Sequence, residues 1–258
     1  MTQSCAEIAK ELYAYEAAGS QANTGAGGRQ EGAGFERLVR AWWHALHDDL
    51  VARGAEPEYF SSERRTWVRL SSGNRSLILP ITHSQQDDNQ EVRWLETSFS
   101  ADSIFASFAS SNPERVSAYP PEVGPYANAD YPNMFSGLTT KFDDTVILIE
   151  NGTLKEKILL EYKSAKSTQG RQIDGNAHER LSFQMLQYLE IATRYTRCTF
   201  SVFANGAFAK YRNKYHVNFH IQADRMRNFA WFNMEHACTP AEFDRVEARL
   251  GTWLVGNP

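Results

Sequence analysis

The residues best suited to chemistry are Glu161 and Lys163, at the end of the aliphatic run Ile158–Leu160. Side chains in a strand alternate between faces, so Glu161 and Lys163 share one face and Tyr162 points away. A continuous aliphatic run is typical of a buried central strand, and charged residues that end such a strand are often site residues. This pattern predicts a carboxylate and an ammonium group side by side at the end of a central strand.

A second apolar segment precedes this strand and begins with Asp143. Asn151-Gly152 separates the two segments and is typical of a tight hairpin turn. Antiparallel pairing would bring Asp143 beside Glu161 and Lys163. Two carboxylates suit Mg²⁺, which acidifies bound water and neutralises phosphate charge. Lys163 would hold or deprotonate the attacking water, or stabilise the developing charge.

Two alternatives stay open for this hairpin. Its charged residues are also compatible with an ordinary hairpin that has solvated ends, because acid-x-Lys triplets are common in surface strands. In addition, Asp143 and Asp144 both stand where a metal ligand is expected. The aliphatic register of the strand favours Asp143, and Asp144 remains possible.

The stretch from Lys141-Phe142-Asp143 to Glu161-Tyr162-Lys163 resembles the PD-(D/E)xK nuclease motif, with Phe142 in place of the usual proline. The resemblance implies a restriction-endonuclease-like fold of class α/β, in which helices flank a central mixed β-sheet. It also implies Mg²⁺ as the cofactor and hydrolysis of DNA phosphodiester bonds.

The segment Gly175–Arg180 resembles the Gly-Asn-Ala-x-Glu-Arg segment of EcoRI-like type II restriction endonucleases. This resemblance implies that Asn176, Glu179 and Arg180 contact bases in the major groove. His178 replaces the aliphatic residue expected there, which leaves the recognised base sequence open. The structural alternative is a capping box, in which Asn176 and Glu179 cap the following helix.

The charge distribution is compatible with a specific DNA-binding protein. The net charge of −4 argues against a non-specific polyanion binder. A local basic run can still meet DNA phosphates. The predicted DNA-contacting residues are Lys166, Arg171, Asn176, His178, Glu179 and Arg180.

The length and composition indicate a single domain over residues 1–258, with an N-terminal extension over 1–34. The chain has 258 residues and 42% hydrophobic content. Residues 20–34 are rich in Gly, Ala and Gln and predict a flexible connector after a short helix. Three cysteines without metal-ligand spacing favour a reducing, cytoplasmic setting. The absence of a long apolar stretch predicts no transmembrane helix.

Several further elements are predicted around the central hairpin. A long helix is expected from Phe35 to Gly54. On it, Glu36 is either an exposed helical residue or, as the resemblance implies, a residue that reaches the metal through water. The other elements are a hairpin over 67–81, a Pro- and Tyr-rich arm or surface loop over 119–137, a strand over 199–203 and a helix after Thr239.

These patterns together predict a Mg²⁺-dependent type II restriction endonuclease that cleaves double-stranded DNA at a short palindrome. Members of such a family usually act as homodimers, because a two-fold protein matches a two-fold site. One alternative is a DNA repair or recombination nuclease of the same fold. A second is a catalytically silent DNA-binding protein.

Overall fold

A computed structural model describes residues 3–15, 25–61, 66–80, 131–132, 139–140, 143–165, 167–168, 172–173, 198–210 and 233–256. The helices in these ranges are α1 (Cys5–Ala14), α2 (Gly25–Ala52), α3 (Ala207–Lys210) and α4 (Pro240–Val255). The strands are β1 (Glu56–Ser61), β2 (Thr66–Ser72), β3 (Arg75–Pro80), β4 (Tyr131–Pro132), β5 (Thr139–Thr140), β6 (Asp144–Glu150), β7 (Thr153–Lys163), β8 (Ser167–Thr168), β9 (Gln172–Ile173), β10 (Cys198–Ala204) and β11 (Asn233–Ala237).

Seven of the strands form one mixed sheet in the order β1-β2-β3-β6-β7-β10-β11. The five strands from β1 to β7 in this order pair antiparallel, whereas β7, β10 and β11 pair parallel. Strand β7 therefore lies inside the sheet, between an antiparallel and a parallel neighbour. The fold is α/β with a mixed sheet and helices against it, which confirms the predicted class at that level.

The hairpin of β6 and β7 forms as its turn sequence predicts. Asn151 and Gly152 have φ angles of 53° and 70°, in the left-handed region. Asparagine and glycine tolerate this region better than other residues, and consecutive left-handed residues are typical of two-residue hairpin turns. The register then shifts once, between Leu148 and Ile149, so the turn and this shift together set which residues meet at the other end of the hairpin.

Helices α1, α2 and α4 contribute to one hydrophobic core with residues from one face of the sheet. Its centre is aromatic. The Trp43 ring stacks on Phe203 at 5.5 Å, and Trp42 and Phe243 meet the same ring edge-on. Aromatic pairs at these distances prefer offset-stacked or edge-to-face geometry. Trp43 is thereby fixed under β7 and β10, close to the predicted site residues.

On the opposite face of the sheet, the side chains of the central strands are also buried. Ile147, Leu159, Phe200 and Val202 are each at most 1% exposed. A central strand with apolar residues on both faces is typical of a sheet that is covered on both sides. The continuous aliphatic run in β7 is therefore explained by burial on both faces.

Two features of the fold differ from the predictions. Helix α2 begins at Gly25, so residues 25–34 of the predicted connector are helical. Once packing holds the helix after Phe35, each residue added at its start gains a backbone hydrogen bond. The strands β1 and β11 were not predicted, and both lie at the edges of the sheet. Among the described helices, none has both the length and the apolarity needed to cross a membrane.

Candidate active site at the end of the central hairpin

The register of the hairpin brings the predicted acidic residues together. Asp144 pairs with Leu160 across β6 and β7. Asp143 directly precedes this ladder, and its Oδ2 accepts a hydrogen bond from the Tyr162 backbone N–H. The Asp143 carboxylate therefore lies against the backbone of the residue between Glu161 and Lys163.

Glu161 and Lys163 point to the same side of β7 and form an ion pair between the Glu161 Oε1 and the Lys163 Nζ. Glu161 is 6% exposed, and Lys163 is partly exposed. A buried carboxylate is costly unless it is paired and hydrogen-bonded. The lysine offsets that cost, and it stands where it can also meet a negatively charged group that approaches from solvent.

Asp144 points to the other face and joins a buried hydrogen-bond chain. The Tyr162 hydroxyl donates to Asp144 Oδ2 at 2.8 Å, and Trp43 Nε1 donates to the Tyr162 oxygen at 3.0 Å. Burial raises the pKa of Tyr162 well above its ordinary value, and the nearby Asp144 carboxylate raises it further. Tyr162 therefore stays protonated and remains a donor to Asp144.

The two aspartates consequently have different surroundings. Asp143 Oδ2 accepts a hydrogen bond from the Tyr162 backbone N–H at 2.7 Å, and the Asp143 N–H donates to Leu160 O at 3.0 Å. Asp143 is partly exposed, whereas Asp144 is fully buried. Asp144 is thus committed to a buried hydrogen-bond chain on the Tyr162 face, and of the two aspartates Asp143 is the one that solvent can reach.

The chain just after Lys163 is held by Asn205, which the sequence did not single out. The Asn205 side chain donates to Ala165 O at 2.8 Å and to Tyr15 O at 2.9 Å, and its oxygen accepts from the Ala165 N–H. Its backbone N–H donates to Lys163 O at 3.2 Å. This fully buried amide ties the ends of β7 and β10 together, so it fixes the backbone that carries the lysine.

Among the remaining predicted site residues, the structure describes Glu36 alone. Glu36 lies on α2 and pairs with Arg40 at 3.4 Å, an i,i+4 contact typical of a helix surface. Its water-mediated role stays a prediction. The helix predicted after Asn176 and most of the arm over 119–137 lie outside the described residues. So do the predicted DNA-contacting residues Lys166, Arg171, Asn176, His178, Glu179 and Arg180.

The chain matches no family model, no curated protein and no solved structure.

Proposed function

We propose that the protein is a Mg²⁺-dependent type II restriction endonuclease of the PD-(D/E)xK superfamily, EcoRI-like in its base-reading segment. The observation that carries the proposal is the pair of hydrogen bonds that hold Asp143 against β7 beside Glu161, with Lys163 paired to Glu161 on the same strand. An ordinary solvated hairpin end does not require an almost fully buried glutamate beside a lysine on an internal strand.

The donor set fits Mg²⁺. Asp143 and Glu161 offer carboxylate oxygens, the ligands that this hard cation takes, usually with only one or two carboxylates and several waters. When bound, the metal supplies an acidified water and neutralises charge on the phosphate. In this proposal Asp143 and Glu161 hold the ion, and the bond from the Tyr162 N–H to Asp143 and the ion pair of Glu161 with Lys163 keep the two carboxylates in place before it arrives.

Lys163 then has a role beyond pairing with Glu161. Its Nζ stands at the carboxylate that would hold the ion, so it would orient the attacking water, take its proton or meet the charge that develops on the phosphate. The backbone bond from Asn205 to Lys163 O holds the strand that carries this group. Such preorganisation limits the reorganisation needed during the reaction.

The proposed substrate is double-stranded DNA, and the proposed assembly is a homodimer on a palindrome. The support for base recognition is the sequence segment Gly175–Arg180 alone. In this reading Asn176, Glu179 and Arg180 contact base edges, while Lys166 and Arg171 contact phosphates.

Cleavage of a sequenced supercoiled plasmid tests the proposal. We expect double-strand breaks with Mg²⁺, none with EDTA, and recovery when Mg²⁺ is restored. Glu161→Gln should be inactive. Glu150→Gln is the matched control, because it removes a carboxylate paired with Arg75 at the opposite end of the same hairpin.

The fragment ends distinguish the alternatives. The same short palindrome at every end supports a type II restriction enzyme, whereas ends without a common sequence support a repair or recombination nuclease. DNA binding without any Mg²⁺-dependent cleavage would overturn the enzymatic proposal and favour a silent DNA-binding protein.

A further inference from the structure

A second group of metal-binding side chains lies where β11 leads into α4. It consists of His236, Cys238 and Glu242. His236 Nε2 lies 3.4 Å from Glu242 Oε1, and Cys238 Sγ lies 3.3 Å from Glu242 Oε2. One potential donor atom from each residue lies within 4.8 Å of the other two.

Local structure brings these three side chains together. His236 and Cys238 are two residues apart in extended chain, so they project to the same side. Glu242 stands in the first turn of α4 and folds back over the helix start, where Thr239 and Glu242 form a capping box. The backbone N–H groups of Thr239 and Cys238 donate to Glu242 Oε2. The capping bonds thus use one carboxylate oxygen and orient the other toward His236.

The spacing of the donors is close to that around a tetrahedral ion. Bonds of roughly 2.0–2.2 Å to nitrogen or oxygen and about 2.3 Å to sulfur place neighbouring donors about 3.3–3.7 Å apart. The His236–Glu242 and Cys238–Glu242 separations are 3.4 and 3.3 Å, but they reach different oxygens of Glu242. For one donor atom from each residue the separations are at most 4.8 Å, so binding would draw the farthest pair together by about 1 Å.

We propose that His236, Cys238 and Glu242 bind a transition-metal ion of the zinc type. A thiolate and an imidazole select such an ion over Mg²⁺, which prefers oxygen ligands. The Cys238 thiol releases its proton to solvent on binding, and His236 binds in its neutral form. With three protein donors from the described residues, one position of the tetrahedron is available to water.

The electrostatics of the cluster are compatible with this exchange. Burial and the neighbouring Glu242 raise the pKa of the Cys238 thiol, so the thiol is protonated before the ion arrives. Burial alone would raise the pKa of Glu242. The hydrogen bonds from His236 and from the Cys238 N–H outweigh burial and hold it well below its usual range.

This site is separate from the carboxylates of the proposed nuclease centre. His236 pairs with Val202 across β10 and β11, and Val202 pairs with Glu161 across β10 and β7. Two strand spacings, roughly 10 Å, separate the Cα atoms of His236 and Glu161, and the Glu161 carboxylate is not among the donor atoms that lie within 4.8 Å of one another. The proposal therefore does not rest on the proposed function. A bound ion would join the end of β11 to the start of α4.

Cobalt titration of the full-length protein, freed of metal, tests the proposal. Co²⁺ is a spectroscopic stand-in for zinc, and a cysteine ligand produces a thiolate-to-cobalt charge-transfer band. We expect one equivalent of Co²⁺ to produce that band. Zn²⁺ should displace the cobalt and abolish the band, whereas excess Mg²⁺ should leave the band unchanged. The band should vanish in Cys238→Ser and persist in Cys5→Ser, which alters a second buried cysteine.

Cys238→Ser could lose the band by misfolding, so variants at two partly exposed positions test the ligands separately. Glu242→Gln keeps an oxygen that can accept the capping bonds but loses the charge, and His236→Gln removes the imidazole. Both variants should fold, as circular dichroism can check, and should bind Co²⁺ at least about tenfold more weakly. Wild-type protein without the band, a band that persists in Cys238→Ser, or wild-type affinity in Glu242→Gln would overturn the proposal.

Discussion

The Tyr162 hydroxyl, on β7, donates a hydrogen bond at 2.8 Å to the carboxylate of Asp144, the first residue of the neighbouring strand β6. The backbone N–H of the same tyrosine donates to Asp143 at 2.7 Å. One residue therefore holds both candidate aspartates, one through its side chain and the other through its main chain. Because Trp43 donates to the same hydroxyl, the aromatic core is linked directly to the end of the hairpin.

The first prediction concerns the stability that this chain of hydrogen bonds provides. Tyr162→Phe leaves the buried Asp144 carboxylate without its hydroxyl donor and should lower the free energy of unfolding by roughly 1–3 kcal/mol. Urea denaturation measures the loss. Tyr59→Phe is the matched control, because it removes a hydroxyl that contacts His47 at a partly exposed position. Equal losses of unfolding free energy in the two variants would contradict a larger contribution from the buried Tyr162–Asp144 hydrogen bond.

The second prediction separates the two aspartates. Asp143→Asn should abolish Mg²⁺-dependent cleavage and leave the fold intact, because Asp143 is partly exposed and lies against the backbone between Glu161 and Lys163. Asp144→Asn should keep cleavage at temperatures where it is folded but should unfold more easily. Plasmid cleavage and thermal unfolding of both variants decide the assignment. If Asp144→Asn were inactive and Asp143→Asn active, Asp144 would be the metal ligand and Asp143 would not.

The third prediction concerns Lys163. Lys163→Met removes the group proposed to act on the attacking water and should lower the single-turnover cleavage rate by roughly 10²–10⁴-fold. Lys155→Met is the control, because Lys155 is an exposed lysine on the same strand. DNA binding in Ca²⁺ should change much less than the rate. Near-normal cleavage by Lys163→Met would exclude the proposed role of the lysine.

The central hairpin could be predicted from the sequence because its determinants are local. Asn151-Gly152 sets the turn, and two-residue alternation places Glu161 and Lys163 on one face. The edge strands could not be predicted in this way. Glu56–Ser61 contains a proline, and neither it nor Asn233–Ala237 has an alternating apolar pattern. Such strands form because a neighbouring strand supplies their hydrogen bonds.

The contacts that support the candidate site were beyond sequence reasoning for a related reason. Trp43 and Tyr162 stand 119 residues apart, and Asn205 bonds Tyr15 across 190 residues. Nothing in local periodicity joins such residues, since packing of the helices on the sheet decides which of them meet. The cluster of His236, Cys238 and Glu242 was missed because it becomes visible only when the capping box of α4 folds Glu242 back toward β11.

The fourth prediction concerns pH and the packing of α4. Burial raises the pKa of Glu247, and the carboxylates of Asp49 and Asp244 raise it further. A group with a raised folded-state pKa stabilises the protein below its unfolded pKa, and this stabilisation is lost as the pH rises through the folded pKa. Glu247→Gln should therefore be more stable than wild type at about pH 8, and this difference in stability should shrink toward about pH 4.

Thermal unfolding at several pH values measures this difference. Glu11→Gln, at an exposed position on α1, is the control and should show no comparable gain. If Glu247→Gln were the less stable protein at the higher pH, the favourable contacts of the Glu247 carboxylate would exceed the cost of burying its charge.

The last prediction concerns base reading by the Gly175–Arg180 segment and rests on the sequence. A helix start in the major groove would place Arg180 against base edges, where losing one good bidentate contact costs roughly 1–3 kcal/mol of discrimination. Arg180→Ala should therefore lose cognate binding, measured in Ca²⁺, far more than non-specific binding. A phosphate contact would instead weaken both and reduce the salt dependence. Cognate affinity equal to wild type would leave the segment as a helix cap and move specificity to the arm over 119–137.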